Sequence, residues 1–271
     1  MTNLRIGCQT YTWEMLGDRF AGGPDDLLDA IAAGGYEGIE ITDAMIGAYS
    51  GAPEAFARAL EARGLTLAAL AIASRSGFTE AGEVEADVET ARRWIDFLAR
   101  FPDAVLSMGS ATVMSDGPRE AKFRVAAEVY NRAAALGKAM GVGVAVHPSS
   151  HHDTLLFSRS DYDALFALLD GETVGWVPDT GHILRGRMDI IDTLRTHGAR
   201  IRYLHLKDVD ASGIWAMLGQ GVCDVSAVVA SASSAPRFNG WVVLEEESEE
   251  AGADPAKAVR TNRETIRRLL A

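Results

Sequence analysis

The stretch GWVPDTGHILR, residues 175–185, contains a short apolar run followed by the polar residues Asp179 and His182. Seven other runs have the same form, with a few Val, Ile, Leu or aromatic residues leading into polar ones. Short, nearly continuous apolar runs are typical of parallel strands that are covered on both faces. The eight predicted strands cover residues 5–13, 37–43, 66–74, 105–112, 143–148, 175–179, 201–207 and 241–246.

The segments between these runs have helical spacing. One helix is predicted to begin at Pro24, one after an N-cap at Ser160, and the last near Asp254. Helices between consecutive strands are crossover connections, which make the sheet parallel. Because eight such units follow one another without a long linker, we predict an α/β fold, a single (β/α)8 TIM barrel whose one domain spans residues 1–271.

A doubly wound, Rossmann-type open sheet is the alternative architecture. It is disfavoured because no GxGxxG motif joins the first strand to the first helix. Residues 9–23 form a polar, aromatic loop in that place instead.

Composition excludes several classes of protein. The chain has 271 residues and a formal net charge of −12, whereas nucleic-acid binders usually present a basic face. No stretch approaches the ~20 apolar residues of a membrane helix, and the N-terminus does not resemble a signal peptide. Two cysteines are too few for a disulfide framework. We therefore expect a cytoplasmic protein with no nucleic-acid or membrane partner; the sequence leaves a homo-oligomer open.

Four consecutive predicted strands end in residues that bind metals. The fifth ends at His147, the sixth at Asp179, the seventh contains His205 and the eighth contains Glu245. Because the C-terminal ends of barrel strands meet at one rim, these side chains are expected to share a site. Such a mixed nitrogen and oxygen set suits Mn²⁺, Co²⁺, Zn²⁺ or Fe²⁺, and a divalent cation relieves the repulsion between neighbouring carboxylates. The sequence predicts one divalent metal ion.

The segments DTGH (179–182), HLKD (205–208) and LE (244–245) resemble the xylose-isomerase-like TIM-barrel superfamily. That superfamily includes sugar and sugar-phosphate isomerases, ketose 3-epimerases, hydroxypyruvate isomerase, inosose dehydratase and endonuclease IV. The resemblance covers nearly the whole chain in strand order. It implies a metal held by residues from strands five to eight, with Asp179, His205 and Glu245 on matching positions.

The fifth strand departs from the commonest family pattern. His147 stands where the isomerases and epimerases usually have a Glu, which removes an acid/base of their two-base epimerization. A His in this place resembles the inosose-dehydratase-like branch. His151 or His152 is the alternative for this ligand, and otherwise both are expected to contact substrate.

Two residues near the predicted ligands are candidates for catalysis by resemblance and spacing. His182 falls where family members contact substrate oxygens, and its alternative role is to orient a carboxylate. Lys207 follows His205 by two residues, so both side chains are expected to point toward the barrel mouth. Lys207 either binds a substrate oxygen or forms a salt bridge with Asp208 or Glu247.

Further residues are expected at the substrate. Glu40 sits where the family often has a Glu near the substrate, with a structural salt bridge as its alternative. Trp13, like Tyr11 and Phe78, lies near the end of a predicted strand, where an aromatic ring can face sugar C–H groups or pack in the core.

The reaction implied by this site is isomerization, epimerization or dehydration of an unphosphorylated sugar, keto-sugar or inosose through a metal-stabilised enediolate. Glu245 is the predicted base as well as a ligand, assisted by His182 or Lys207. No phosphate-binding site with an Arg and a Gly-rich loop is evident, although Arg75 and Arg185 leave a phosphorylated substrate open. The alternatives are a barrel that binds sugar or metal without turnover and, less favoured by the acidic charge, an endonuclease-IV-like repair enzyme.

Overall fold

Ten strands and eleven α-helices make up the computed structural model, which describes residues 4–271. The strands are β1 (Arg5–Gln9), β2 (Gly38–Thr42), β3 (Thr66–Ile72), β4 (Val105–Met108), β5 (Gly143–Val146), β6 (Val174–Trp176), β7 (Leu204–Leu206), β8 (Asp208–Val209), β9 (Trp215–Ala216) and β10 (Trp241–Leu244). The helices are α1 (Tyr11–Glu14), α2 (Pro24–Ala33), α3 (Pro53–Glu61), α4 (Val84–Leu98), α5 (Arg119–Met140), α6 (Arg159–Leu168), α7 (Thr180–Arg185), α8 (Ile190–His197), α9 (Val225–Ser233), α10 (Glu249–Ala253) and α11 (Pro255–Leu269). Short 3₁₀ helices cover Gly17–Arg19, Gly47–Gly51, Ala81–Glu83 and Gly198–Arg200.

Eight of the strands form one parallel sheet that curls into a barrel. Their order is β6-β5-β4-β3-β2-β1-β10-β7, with parallel pairing throughout. The two ends of this order meet, because the main-chain N–H of His205 donates to the carbonyl of Pro178 at 2.9 Å and that of Arg202 donates to Trp176 at 3.0 Å. The predicted (β/α)8 TIM barrel is therefore confirmed. The remaining strands, β8 and β9, form a small antiparallel hairpin beyond β7.

The barrel interior is filled by its own side chains. Small residues from β3 to β5 pack there against the large rings of Tyr203 and Trp241, in a buried cluster separate from the layer between sheet and helices. Gly38 makes room for one ring, because a Cβ at this position would come within 2.4 Å of Trp241. Such filling from alternate strands is the usual core of this fold, and it leaves only the strand ends for a site.

The predicted strands are all present, but several are shorter than expected. The first ends at Gln9 rather than at residue 13, because the chain turns into α1, where the main-chain N–H of Trp13 donates to the carbonyl of Thr10 at 3.0 Å. The helix predicted after Ser160 instead has Ser158 as its N-cap, whose hydroxyl accepts from the main-chain N–H of Asp161. The helix starts predicted at Pro24 and near Asp254 are confirmed.

Across residues 4–271, the helices all fall short of the combined length and apolar character that a bilayer crossing requires.

Candidate metal centre and active site

Four neighbouring strand ends bring two imidazoles and two carboxylates together. His147 follows β5, Asp179 follows β6, His205 lies in β7 and Glu245 follows β10. One ligand atom from each residue lies within 4.8 Å of all the others. Asp179, His205 and Glu245 are buried, and His147 is half-buried. Residues up to 98 positions apart in the chain thus share one small volume at the C-terminal rim of the barrel.

The spacing of these atoms fits a single divalent ion. His205 Nδ1 lies 2.9 Å from both His147 Nε2 and Glu245 Oε2, and Asp179 Oδ2 lies 3.8 Å from each imidazole nitrogen. Ligands at about 2.0–2.2 Å from a tetrahedral ion lie roughly 3.3–3.6 Å from one another, which these separations bracket.

Asp179 carries a second indication of a cation. Its Oδ1 accepts a hydrogen bond from the main-chain N–H of His182 at 2.8 Å and so caps α7. Its Oδ2 is buried and has no hydrogen-bond partner among the described residues. An unpaired buried carboxylate oxygen is costly. A metal at the centre of the four side chains would satisfy it.

Glu40 orients one ligand from below. Its Oε2 lies 2.6 Å from His205 Nε2 and accepts the hydroxyl of Tyr203 at 2.7 Å. Donation from Nε2 to Glu40 leaves Nδ1 of His205 free to bind the ion. Burial lowers the pKa of His205, but Glu40 and the neighbouring carboxylates outweigh burial and raise it well above its ordinary value.

Replacement of Glu40 by Gln should therefore weaken metal binding. We expect about 10–100-fold lower affinity, because the imidazole loses the charged partner that fixes its tautomer and orientation. Metal titration of the chelator-stripped protein measures this effect. Glu37→Gln is the matched control, because Glu37 immediately precedes β2, at the end of the strand away from the site, and accepts the main-chain N–H of Ile6 at 2.8 Å. Equal affinities of the two variants would contradict the role of Glu40.

Lys207 bridges the carboxylates that follow β10. Its Nζ lies 2.6 Å from Glu245 Oε1, forms a short contact with Glu247 Oε1, and lies 4.4 Å from the centroid of the Trp215 ring. Burial lowers the pKa of Lys207, but Glu245, Glu247 and Asp179 together raise it well above its ordinary value. The predicted salt bridge to Glu247 is present. Asp208 instead accepts main-chain N–H groups, including those of Gly219 and Gly221 at 3.0 Å.

A second group of residues adjoins the first. His151 Nε2 lies 2.9 Å from Glu247 Oε2, and His182 Nδ1 lies 2.8 Å from the hydroxyl of Ser150. Ligand atoms of His151, His182 and Glu247 all lie within 4.8 Å of one another. Burial lowers the pKa of His182 well below its ordinary value, so its imidazole is neutral at physiological pH.

A cavity of about 350 Å³ opens above these groups. Of the residues predicted to act on substrate, His151, His152, His182 and Glu245 line it. Three others do not line it: Trp13 packs in the hydrophobic core, Glu40 is completely buried beneath His205, and Lys207 is held by Glu245 and Glu247. For Trp13 and Glu40 the structure shows the alternative roles, because α1 turns Trp13 inward and the carboxylate of Glu40 is paired with Tyr203 and His205.

Several cavity residues were not predicted. Gln9, Glu14, Asp43 and Glu247 all line the cavity. Glu247 lies beyond the end of β10 in a run of three glutamates, which gave no signal of an inward-facing carboxylate. Gln9 ends β1, and its position at a strand end was a usable signal. Glu14 has no such signal, because it reaches the cavity only through the turn into α1.

Asp43 is held in an unfavourable environment. Burial, and next the nearby charge of Glu14, raise its pKa from an ordinary value of 3.8 to about 6, against the opposing effect of Arg93. A raised folded-state pKa means that the folded protein binds this proton more tightly than the unfolded chain. The Asp43 carboxyl group therefore makes its full contribution to the stability of the folded protein below about pH 4, and this contribution is lost as the pH rises through about 6.

Asp43→Asn is consequently expected to stabilise the protein at pH 7–8 and not at pH 4. Because Asp43 is partly exposed, the gain in the free energy of unfolding should be about 1–2 kcal/mol rather than the full value of the shift. Urea unfolding at both pH values measures it, with the exposed Asp116→Asn as control. A gain of the same size at both pH values would refute the assignment.

An eight-stranded parallel barrel with a His, Asp, His and Glu cluster at its strand ends defines a TIM-barrel protein with a candidate metal centre. The xylose isomerase-like TIM barrel model matches residues 28–269, and the chain belongs to that family. The predicted family resemblance is thereby confirmed.

Two curated relatives match the chain over most of its length. It is 26% identical to an inosose dehydratase of Geobacillus kaustophilus, over 98% of this chain and 94% of the relative. It is 25% identical to an inosose dehydratase of Lactiplantibacillus plantarum, over 90% and 88%.

Solved structures share the fold. The IOLI protein with a bound zinc atom has a TM-score of 0.78 at 15% identity, with 98% of each chain covered. L-ribulose 3-epimerase has a TM-score of 0.77 at 18% identity, with 98% of this chain and 94% of that one covered. These relatives and structural neighbours include sugar epimerases and dehydratases, which supports an enzyme.

Proposed function

We propose that this protein is a divalent-metal-dependent dehydratase that removes water from an uncharged keto-polyol of the inosose type. The observation that carries the proposal is the composition of the ligand set: the strand-five position holds His147. A two-base epimerization needs a proton acceptor on each face of the reacting carbon. Here Glu245 is the one ligand carboxylate that lines the cavity among the described residues. The names of the full-length relatives favour the same reaction.

The proposed site would hold Mn²⁺, Co²⁺, Zn²⁺ or Fe²⁺ on His147, Asp179, His205 and Glu245. A metal bound there would supply Lewis acidity toward two adjacent substrate oxygens. Lys207 holds Oε1 of Glu245, so that only Oε2 faces the other ligands. This arrangement leaves Oε2 as the oxygen of Glu245 that would bind a metal ion.

The proton transfers are assigned to the side chains on the cavity wall. Glu245 takes the proton from the carbon next to the carbonyl, and the pair of His151 and Glu247 donates a proton to the hydroxyl on the following carbon. The carbon–oxygen bond breaks, a carbon–carbon double bond forms and one water leaves. Neutral His182 is placed to donate to a substrate oxygen. Lys207 does not line the cavity, so it acts by positioning Glu245 and Glu247.

The charge of the cavity supports an unphosphorylated substrate. Its lining includes the carboxylates of Glu14, Asp43, Glu245 and Glu247, and no Lys or Arg among the described residues. The sequence left Arg185 open as a phosphate ligand, but its guanidinium lies over the Trp215 ring instead, 4.6 Å from the ring centroid. A phosphate in this cavity would meet like charge without a compensating cation.

Incubation of the metal-loaded protein with scyllo-inosose in heavy water tests the proposal. We expect a product lighter by one water, detected by mass spectrometry, with activity lost after chelation and restored by Mn²⁺ or Co²⁺. A product that keeps its oxygen and gains deuterium would instead identify an isomerase or epimerase, which begins with the same proton removal. Full activity in a demonstrably metal-free preparation, or no turnover of inosose by the loaded protein, would refute the proposal.

A further inference from the structure

One wall of the cavity runs from beside Glu245 to the side of the barrel mouth opposite β6. In the closed strand order, β2 is diametrically opposite β6, and β1 lies between β2 and β10, the strand that leads into Glu245. Gln9 at the end of β1, Glu14 in α1 and Asp43 after β2 line this wall. The mechanism derived above does not use any of the three.

Gln9 presents an unpaired amide to the cavity. The residue is only 5% exposed, and its Oε1 accepts the main-chain N–H of Tyr11 at 2.5 Å. Within residues 4–271, its Nε2 has no hydrogen-bond partner. Because Nε2 is not one of the buried polar atoms, its two N–H groups are open to the cavity. They can donate to an acceptor oxygen of a ligand.

Among the described residues, neither Glu14 nor Asp43 forms an ion pair. Glu14 accepts the hydroxyl of Thr42 at 2.5 Å, and the Asp43 carboxylate has neither an ion pair nor a hydrogen bond from another side chain in the described part of the chain. Carboxylates accept hydrogen bonds and cannot donate them. Together with the Gln9 amide they match the hydroxyl group, which donates and accepts at once.

An aromatic ring completes this wall. Phe78 lines the cavity, is 1% exposed and packs on Tyr130 with ring centroids 5.6 Å apart. Its backbone has φ of 59°, a conformation that non-glycine residues adopt at a cost and that is common at binding sites.

We propose that Gln9, Glu14 and Asp43 form a hydroxyl-recognition subsite for the ring hydroxyls of a cyclic polyol that do not bind the metal. Each hydroxyl would donate to a carboxylate, and one would accept from the Gln9 amide. The inference rests on the proposed function for the choice of polyol.

Calorimetric binding to the metal-loaded protein tests the subsite. Two probes are used: scyllo-inosose, and myo-inositol, which carries ring hydroxyls but no carbonyl and so binds without dehydration. The variants Gln9→Met, Glu14→Gln and Asp43→Asn are each expected to raise Kd by about 10-fold or more, as the loss of a hydrogen bond between a polar or charged group and a hydroxyl does. Metal content should stay at the wild-type level, because none of the three residues is a ligand.

Two controls separate recognition from general damage. The exposed Asp116→Asn should leave Kd unchanged. Inhibition by dihydroxyacetone, a three-carbon hydroxyketone too short to span the barrel mouth, should be the same in Asp43→Asn as in the wild type, because Asp43 follows β2, the strand opposite β6.

The outcomes distinguish this subsite from the reaction. Weaker inositol binding in the variants supports the subsite even if the wild-type protein fails to dehydrate inosose, in which case only the proposed reaction falls. Unchanged Kd values in all three variants, or an equal loss of dihydroxyacetone inhibition in Asp43→Asn, would overturn the subsite. So would the absence of any inosose or inositol binding by the metal-loaded wild-type protein.

Discussion

Asp179→Asn is expected to leave the protein folded and without its metal ion. Asparagine keeps an oxygen that can accept the main-chain N–H of His182 and cap α7, but it places an NH₂ group or an uncharged oxygen where Oδ2 faces the other ligands. An amide nitrogen does not bind a divalent cation, and the loss of one negative charge weakens the remaining set. Metal affinity should fall about 1,000-fold or more, well beyond the roughly 10–100-fold cost of losing an outer partner. Dehydration should fall to background.

Metal analysis of the purified variant measures this effect directly. Asp224→Asn is the matched control, because Asp224 caps α9 in the same way, accepting the main-chain N–H of Ala227 at 3.1 Å, and lies on the surface. The control should keep one metal ion per chain and full activity. Stoichiometric metal and wild-type activity in Asp179→Asn would remove the basis of the proposed chemistry.

Lys207→Met is expected to lose activity while retaining the metal. Among the described side chains, Lys207 is the one Lys or Arg in contact with Glu245 and Glu247, and it is 2% exposed. Its removal leaves two buried carboxylates side by side, a change that typically costs about 3–5 kcal/mol of stability. Glu245 would also lose the contact that orients its oxygens, so kcat should fall about 100-fold or more.

Three measurements on Lys207→Met separate positioning from a merely structural role. Urea unfolding of the chelated protein should show the stability loss, and the loss should shrink when the metal is present because the ion neutralises Glu245. Metal content should stay near that of the wild type. Lys257→Met, at an exposed position in α11, should change neither property. Wild-type kcat in Lys207→Met would contradict the positioning role.

The metal ligand candidates could be read from the sequence because of the way this fold is built. Each barrel strand is a short apolar run, and the residue that follows it faces the common rim. His147, Asp179 and Glu245 stand at such ends and His205 lies within the short β7, so the pattern grouped side chains that the structure places within 4.8 Å. To group these four residues into one ligand set, the order of the strands around the barrel is needed, and the βα repeat supplies that order.

Other cavity residues could not be predicted in this way. Glu247 belongs to a run of three glutamates, and such runs usually lie on a solvated edge. Only the position of Lys207 shows that this carboxylate is paired and turned inward. Trp13 and Glu40 were expected near the substrate, yet the turn after Gln9 buries the first and the pairing with His205 buries the second. These outcomes depend on contacts between residues far apart in the chain.

By itself, the sequence determined the eight βα units, the closure into a barrel and the polar residues that end each strand. Those features follow from local periodicity and from the steric rules that make crossover connections parallel. The tertiary structure decided which of those residues share the cavity, which orient the ligands from below and which face them across the barrel mouth. The reason is physical: side-chain direction, burial and ion pairing depend on neighbours that only the closed sheet brings into contact.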